Sequence, residues 1–389
     1  MVCGHVIKAI SYSLGVFVWL ALAELAVRCL PAGFAPEVKA RKCLEYRPGV
    51  GVVTIQPAST LVHISPLGCN SIRYNACGFR GPSRPLEKDS GEIRIAVLGD
   101  SYIEGREVRD DELSTTRIEQ RMGRPVRVMN FGICGTGQAE QIPLYRNLVR
   151  RFKPDLVIVC VTLSNDFEDN VKELADNRDR NLLRMENGKL VEIPPSALVR
   201  FFCLPAVNPL THLVTNSALF RLLQRPRVTR PSRKPAVPAP DPLAAFDTPA
   251  CDNAKAVMSG GLLALRQLVE SDGARILLMN ASDCMTFLSW EDPAFTKKAE
   301  WMNRRYRWLA LFARDHGFAH LDLRLALLDH FQLRKLRASD LHISNDGHWT
   351  PLAHSLVADA VADYLKGPLG KPLLPPPLVD RQSWNDMRR

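Results

Sequence analysis

Five short apolar runs, each followed by a helical pattern, recur along this chain and leave few folds open to it. The runs cover residues 94–98, 126–132, 155–161, 275–282 and 320–323. The helical patterns cover residues near 110–122, 138–152, 252–271, 294–314 and 350–365, the first of them capped by Asp110 and Asp111. Strands that alternate with helices form a parallel sheet whose two faces the helices cover. We therefore predict an α/β fold, a three-layer α/β/α sandwich around a five-stranded parallel sheet.

The remaining segments suggest how the chain is divided. Residues 1–35 include an apolar stretch, uncharged from Ala9 to Ala23, which predicts a signal-anchor or transmembrane segment. A cleaved signal peptide and a buried helix are the alternatives, because Ala21-Leu22-Ala23 has the small-x-small form of a cleavage site. The other predicted parts are a lead-in extension that is β-rich (36–92), a main domain (93–366) with a partly helical insertion at about 167–250, and a Pro-rich tail (367–389).

The charge of the chain does not indicate a nucleic-acid partner. The sequence has 51 Lys and Arg against 41 Asp and Glu, a formal net charge of +10. These basic residues are dispersed, and no zinc-knuckle, RNP or helix-turn-helix pattern accompanies them. The basic, Pro-rich run from Arg221 to Lys234 favours an exposed linker, with a contact to a polyanion or anionic lipid as the alternative. The ten cysteines show no C-x-x-C spacing, and whether they pair stays open.

Four polar motifs fall where predicted strands end or where the last helix begins. They are Gly99-Asp100-Ser101, Asn130 to Gly135, Ser164-Asn165-Asp166 and Asn345 to Trp349. Open α/β sheets bind their ligands outside the carboxyl ends of the strands, so we expect the four motifs to converge there. Asp100 is expected to cap the helix that follows it or to fix the Ser101 loop.

The residue types in these motifs suit acyl transfer. A serine becomes a nucleophile when a base takes its proton, and an imidazole base needs a carboxylate to orient it, roles that suit Ser101, His348 and Asp346. The loops that carry Gly135 and Asn165 can supply a backbone N–H and a side-chain amide to a developing oxyanion. His348 precedes a predicted helix N-terminus, whose positive end is expected to keep the imidazole neutral.

We expect no metal and no cofactor at this site. His342, His348 and Asp346 are the residues of this region that could suggest a metal centre, but no third or fourth ligand cluster matches them. His354 lies one turn into the last predicted helix, where we expect a packed or partly exposed residue and not the base.

In content and order the four motifs resemble the blocks of the GDSL-type esterase/lipase family, the SGNH hydrolases, over residues 93–366. The resemblance implies a flavodoxin-like sheet and a nucleophile at Ser101, whose N–H joins the oxyanion hole with Gly135 and Asn165. It also implies that His348 is the base. The family commonly has Asp three residues before the histidine, whereas Asn345 stands there and Asp346 follows it. An Asp-x-His variant, or a Ser-His dyad without Asp346, is therefore expected.

This resemblance implies a serine esterase that acts on an ester-linked acyl group, such as acetyl on a glycan or a lipid. An O-acyltransferase with the same site and a non-catalytic binding protein are the alternatives. Similar family members carry an N-terminal hydrophobic segment and a Gly-Phe-Arg-Gly lead-in, which here is Gly78 to Gly81. We therefore expect a membrane-anchored protein with an extracytoplasmic catalytic domain. The basic residues that follow the segment, Arg28 to Arg47, favour the opposite orientation, which stays open.

Overall fold

The computed structural model describes residues 44–171, 180–204, 248–368 and 373–374, together with a few helical positions between 15 and 23. Residues 42–200 and 240–389 make up one compact unit of the chain, and residues 1–41 and 201–239 make up another. The fold below is that of the first unit.

Strands and helices alternate through most of this unit. The strands are β1 (Leu44–Arg47), β2 (Val52–Ile55), β3 (Thr60–Ser65), β4 (Gly68–Arg73), β5 (Ile93–Gly99), β6 (Val126–Gly132), β7 (Leu156–Val161), β8 (Leu182–Glu186), β9 (Lys189–Ile193), β10 (Arg275–Asn280) and β11 (Ala319–Asp322). The helices are α1 (Ser101–Glu104), α2 (Ser114–Met122), α3 (Gln138–Asn147), α4 (Asp166–Asp169), α5 (Ala197–Phe202), α6 (Pro249–Ser271), α7 (Cys284–Glu291), α8 (Thr296–Asp315), α9 (Leu323–Leu333), α10 (Ala338–Leu341) and α11 (Pro351–Lys366).

Five parallel strands form the central sheet, in the order β6-β5-β7-β10-β11. Numbered among themselves along the chain, these strands run 2-1-3-4-5, which is the flavodoxin-like order. The strand order reverses between β5 and β7, and such a switch point opens a crevice at the carboxyl ends of the strands. The structure thus confirms the predicted fold class, and it places the end of β5 beside the crevice.

Two hydrophobic layers cover the sheet because successive side chains of a strand point to opposite faces. Along β5, Ile95 and Val97 pack in the layer that contains residues of α2, α9 and α11. Ala96 and Leu98 pack in the layer that contains residues of α3, α6 and α8. With both faces buried, β5 is a continuous apolar run, which is why the sequence identifies it.

Antiparallel hairpins lie outside the central sheet. The lead-in holds two of them, β1–β2 and β3–β4, as its predicted β-rich character requires. The insertion holds a third, β8–β9, which the sequence reading of a partly helical segment missed. Its turn is Asn187-Gly188, with φ of 49° and 74°. Asn-Gly between two short apolar runs is a strong local signal for a hairpin, so the sequence did contain the information.

Two predicted helix boundaries are wrong. The helix expected from Asp110 and Asp111 begins at Ser114, because Asp110 pairs with Arg80 and Asp111 pairs with Arg109. The helix expected over 138–152 ends at Asn147, and a separate 3-10 turn covers Val149–Phe152.

Membrane anchoring is a prediction that the fold does not address. Among the described residues, no helix is both long enough and apolar enough to cross a bilayer. Most of the predicted signal-anchor at 1–35, the greater part of the Pro-rich tail and the basic run from Arg221 to Lys234 lie outside the described residues. Among the described cysteines, Cys69, Cys77 and Cys251 are free thiols.

The last residue of β6 has no room for a side chain. A Cβ at Gly132 would lie 2.4 Å from the backbone nitrogen of Glu104 and 2.7 Å from the carbonyl carbon of Ile103. Backbone atoms cannot rotate away, so we expect Gly132→Ala to lower the free energy of unfolding by about 1–3 kcal/mol. Urea unfolding of the full chain measures this. Gly49→Ala is the control, since nothing lies within 4 Å of its Cβ position. Equal stability of the two variants would contradict the packing described here.

Candidate active site

Ser101 begins α1 directly after β5, at the switch point of the sheet. Asp100 is the N-cap, and its Oδ1 accepts a hydrogen bond of 3.0 Å from the backbone N–H of Tyr102, as the sequence predicts. The turn is tight because a Cβ at Gly99 would come within 2.4 Å of the Ile103 side chain. Gly105 ends the helix in the left-handed region, with φ of 58°. This strand-to-helix turn brings the Ser101 hydroxyl to the edge of the sheet.

In the structure, the side chains of Ser101, His348 and Asp346 form a chain of hydrogen bonds. His348 Nε2 lies 2.8 Å from Ser101 Oγ. On the other side of the ring, His348 Nδ1 makes a short hydrogen bond with Asp346 Oδ1, which also accepts from the His348 backbone N–H at 3.2 Å. Since a carboxylate only accepts, Nδ1 carries the proton and Nε2 is left to accept from the serine. This arrangement is the one that nucleophilic catalysis by serine requires.

The loop that carries His348 is a tight turn, and this explains the position of its aspartate. The Ile343 N–H donates to the His348 carbonyl at 2.8 Å and closes the loop. Asn345 and Gly347 adopt left-handed conformations, with φ of 63° and 91°. Asn345 is therefore a turn residue, and the side chain of the next residue, Asp346, reaches the imidazole.

Two aromatic residues hold this loop against the sheet. Trp349 is fully buried, and its Nε1–H donates to Ser282 Oγ at 3.0 Å. The Tyr102 hydroxyl donates to the carbonyl of Gly347 at 3.0 Å, and its ring lies 5.2 Å from the His348 ring, centroid to centroid. His354, as expected, is a packed residue, since its Nδ1 accepts from the backbone N–H of Ser114 at 3.2 Å.

A second carboxylate, which the sequence reading missed, faces His348. Glu107 is buried, and its Oε1 lies 3.8 Å from His348 Nδ1. The same oxygen lies 3.3 Å from Nε2 of His63, on β3. Glu107 stands only six residues after Ser101, in the loop that follows α1, and this proximity to the nucleophile is the signal that could have identified it.

Glu107 and Asp346 raise the pKa of His348. Burial alone lowers the pKa of the imidazole, but Glu107 and then Asp346 raise it, and the net shift is upward. The expectation that the helix N-terminus lowers the pKa of His348 is therefore wrong in direction. The cause is the distance: α11 begins three residues later, at Pro351, whereas the carboxylates face the ring itself.

Glu107, Asp346 and His348 are also the group in the described parts of the chain that could hold a metal ion. Their ligand atoms lie within 4.8 Å of one another. However, His348 Nδ1 already donates to Asp346, and a metal at that nitrogen would displace the proton. The hydrogen bond alone accounts for this arrangement.

The residues expected to bind an oxyanion lie at the same edge of the sheet. Asn165 is the N-cap of α4, after β7, and its Nδ2 lies 3.5 Å from Oδ2 of Asp100, the residue before the serine. Gly135 follows β6 in the left-handed region, with φ of 69°. Its loop is held to the end of β5, because the Ile133 N–H donates to the Gly99 carbonyl at 3.1 Å.

A buried ion pair supports this loop from below. Glu104, at the end of α1, accepts two hydrogen bonds of 2.7 Å from Arg106 and one of 2.7 Å from the Tyr74 hydroxyl. Its Oε2 also accepts from the backbone N–H of Cys134 at 2.6 Å, next to Gly135. From the Gly-Phe-Arg-Gly motif, Arg80 donates to the carbonyls of the same region, including that of Val108 at 3.0 Å. The lead-in thereby fixes the loop that follows α1.

The raised pKa of His348 can be measured directly. We expect an NMR titration of its imidazole to give a pKa above that of an exposed histidine. Glu107→Gln removes a negative charge that stabilises the imidazolium, so it should lower this pKa. Asp111→Asn is the control, because that exposed carboxylate belongs to the same loop but pairs with Arg109. An unchanged pKa in Glu107→Gln would contradict the electrostatic account.

Comparisons with known proteins show the family of the chain. Residues 97–350 match the model of the GDSL-like Lipase/Acylhydrolase family. Solved structures similar to this chain include an acetyl xylan esterase, AlAXEase, with 13% identity over 69% of this chain and 98% of that one, and a TM-score of 0.39. They also include the M. smegmatis aryl esterase, with 12% identity over 70% and 98%, and a TM-score of 0.37. No curated protein matches the sequence. Because the family match covers more than half of the chain, the chain belongs to the GDSL-like lipase/acylhydrolase family and is a hydrolase of the SGNH type.

Proposed function

We propose that this hydrolase is a serine esterase in which Ser101 carries the acyl group between the substrate and water. The observation that supports this most strongly is the 2.8 Å contact between Ser101 Oγ and His348 Nε2, with Asp346 on the opposite ring nitrogen. A non-catalytic binding protein would have no need of a serine, an imidazole and a carboxylate in this order.

Acylation begins when Ser101 Oγ attacks the ester carbonyl. His348 Nε2 takes the hydroxyl proton, and Asp346 and Glu107 stabilise the imidazolium that forms. The C–O bond to the leaving group then breaks, and His348 returns the proton to the departing alkoxide. Ser101 is left as an ester, the imidazole is neutral again, and an alcohol is released.

The negative charge on the tetrahedral intermediate needs fixed donors. We propose that the backbone N–H groups of Ser101 and Gly135 and the side-chain amide of Asn165 supply them. Donors of this kind are held in place before the reaction, so no reorganisation is needed when the charge develops. The position of Asn165 beside Asp100 supports this role.

Water completes the reaction by the same steps in reverse order. His348 removes a proton from water, the hydroxide attacks the acyl-serine, and the proton passes to Ser101 Oγ as the acid leaves. A sugar hydroxyl in place of water would make the same residues an O-acyltransferase. For the substrate we propose an acetyl or other acyl ester on a glycan or lipid of the cell envelope. The apolar segment at 1–35 supports this, because it predicts a membrane anchor.

The nucleophile is tested with a fluorophosphonate, which reacts with activated serines. We expect the full chain to be labelled and Ser101→Ala to lose both the label and ester hydrolysis, the latter by at least about 10⁴-fold, since the acyl acceptor is gone. Ser271→Ala is the control, because that hydroxyl is exposed at the end of α6 and donates to Leu268. Equal labelling of Ser101→Ala and the unmodified chain would exclude the assignment.

The order of two substitutions tests the roles of His348 and Asp346. His348→Ala removes the base, whereas Asp346→Asn leaves the imidazole in place with Glu107 beside it. We therefore expect the loss of kcat/KM for Asp346→Asn to be smaller by about 10²-fold. Steady-state kinetics on p-nitrophenyl acetate measure both losses. A larger loss for Asp346→Asn would mean that the carboxylate does more than orient the imidazole.

A further inference from the structure

Arg180 lies between the two loops of the proposed oxyanion hole, although it belongs to neither. Its Nε donates to Glu140 Oε1 at 2.9 Å, and its Nη1 donates to Asp169 Oδ1 at 2.8 Å. The side chain is only 11% exposed. Burial alone lowers the pKa of Arg180, but Glu140 and Asp169 raise it by more than burial lowers it. The net shift is upward, so the guanidinium is charged.

The second oxygen of each carboxylate holds one side of the hole. Glu140 Oε2 accepts from the backbone N–H of Gly137 at 3.1 Å, in the loop that carries Gly135. Asp169 Oδ2 accepts from Nδ2 of Asn165 at 2.7 Å. One guanidinium therefore connects, through two carboxylates, to the side chain of Asn165 and to the loop that carries Gly135.

The remaining nitrogen of the guanidinium, Nη2, lies close to the loop that carries Gly135. A Cβ added at Gly135 would be 3.8 Å from Arg180 Nη2. A side chain larger than glycine would therefore lie against the guanidinium.

Arg180 is fixed at the start of the β8–β9 hairpin. The next residue, Asn181, donates from its side chain to the carbonyl of Gly51 at 3.1 Å. Leu182 and Leu183 are buried, and the Leu183 N–H donates to the carbonyl of Asn170 at 2.7 Å. The backbone that carries the guanidinium is thus held by contacts of its own.

We propose that Arg180 is a positioning residue that holds Asn165 and the Gly135 loop at the spacing an oxyanion requires. The inference rests on the proposed function and extends it into the insertion. A planar guanidinium can hydrogen-bond to two carboxylates at once in fixed directions, which a lysine ammonium cannot do. Without the guanidinium, Glu140 and Asp169 would lose the cation that lies between them and would repel each other, and the donors that they hold would shift.

The test uses Arg180→Gln and Arg180→Lys in the full chain, with p-nitrophenyl acetate as substrate. Fluorophosphonate titration counts the reactive Ser101 sites, so kcat refers to folded and activated enzyme alone. We expect kcat for Arg180→Gln to fall by about 10- to 100-fold with KM nearly unchanged, because the oxyanion exists only after attack. Arg180→Lys should recover part of the loss. Arg184→Gln, on the same hairpin and with its exposed partner Glu186, should match the unmodified chain.

Asn165→Ala serves as the reference for the loss of a donor. If it lowers kcat while both Arg180 variants stay within about twofold of the unmodified chain, the inference is overturned and the proposed function stands. A rise in KM without a fall in kcat would also overturn it, since Arg180 would then act on substrate binding. Activity that persists in Ser101→Ala would overturn the proposed function and this inference together.

Discussion

The hydrogen bonds on either side of the His348 ring are the constraint on which the rest of the site depends. Nε2 must lie within hydrogen-bond distance of Ser101 Oγ while Nδ1 faces Asp346. These two partners are far apart in the sequence. The parallel sheet supplies one end of this contact, since β5 delivers Ser101 at the switch point. The tight loop closed between Ile343 and His348, with Trp349 buried beneath it, supplies the other. Small errors in either element would remove the proton path.

Charged side chains are concentrated around this contact, and burying them costs desolvation free energy. Glu104 and Arg106 are both buried, and such pairs contribute little to stability, because desolvation offsets their attraction. What this pair provides is position: it joins the end of α1 to the loop that carries Gly135. The Glu140 and Asp169 pairs with Arg180 follow the same principle on the opposite side. The site is thus held by polar groups that are satisfied only in one arrangement.

The sequence predicts the sheet well because its strands are buried on both faces and therefore read as apolar runs. It also predicts that Ser101, Asn165 and His348 lie at one edge of the sheet, because each stands at an element boundary. Arg180 escapes prediction because an arginine in a loop has no local pattern and acquires its role through contacts distant in sequence. Glu107 has only its proximity to Ser101 as a local signal, and its contact with His348 is likewise distant in sequence. The helix start at Ser114 was misplaced for a similar reason: Asp110 serves a salt bridge to Arg80 and not a cap. The β8–β9 hairpin, in contrast, has a local signal in Asn187-Gly188.

The central claim is that Ser101 carries the acyl group, and peptide mass spectrometry tests it most directly. The full chain would be quenched in acid during turnover of p-nitrophenyl acetate, digested and mapped. The account predicts an acetyl group on Ser101, absent from a sample quenched before substrate is added. Consumption of the ester with no acetyl group on Ser101, or with the group on another side chain, would contradict it.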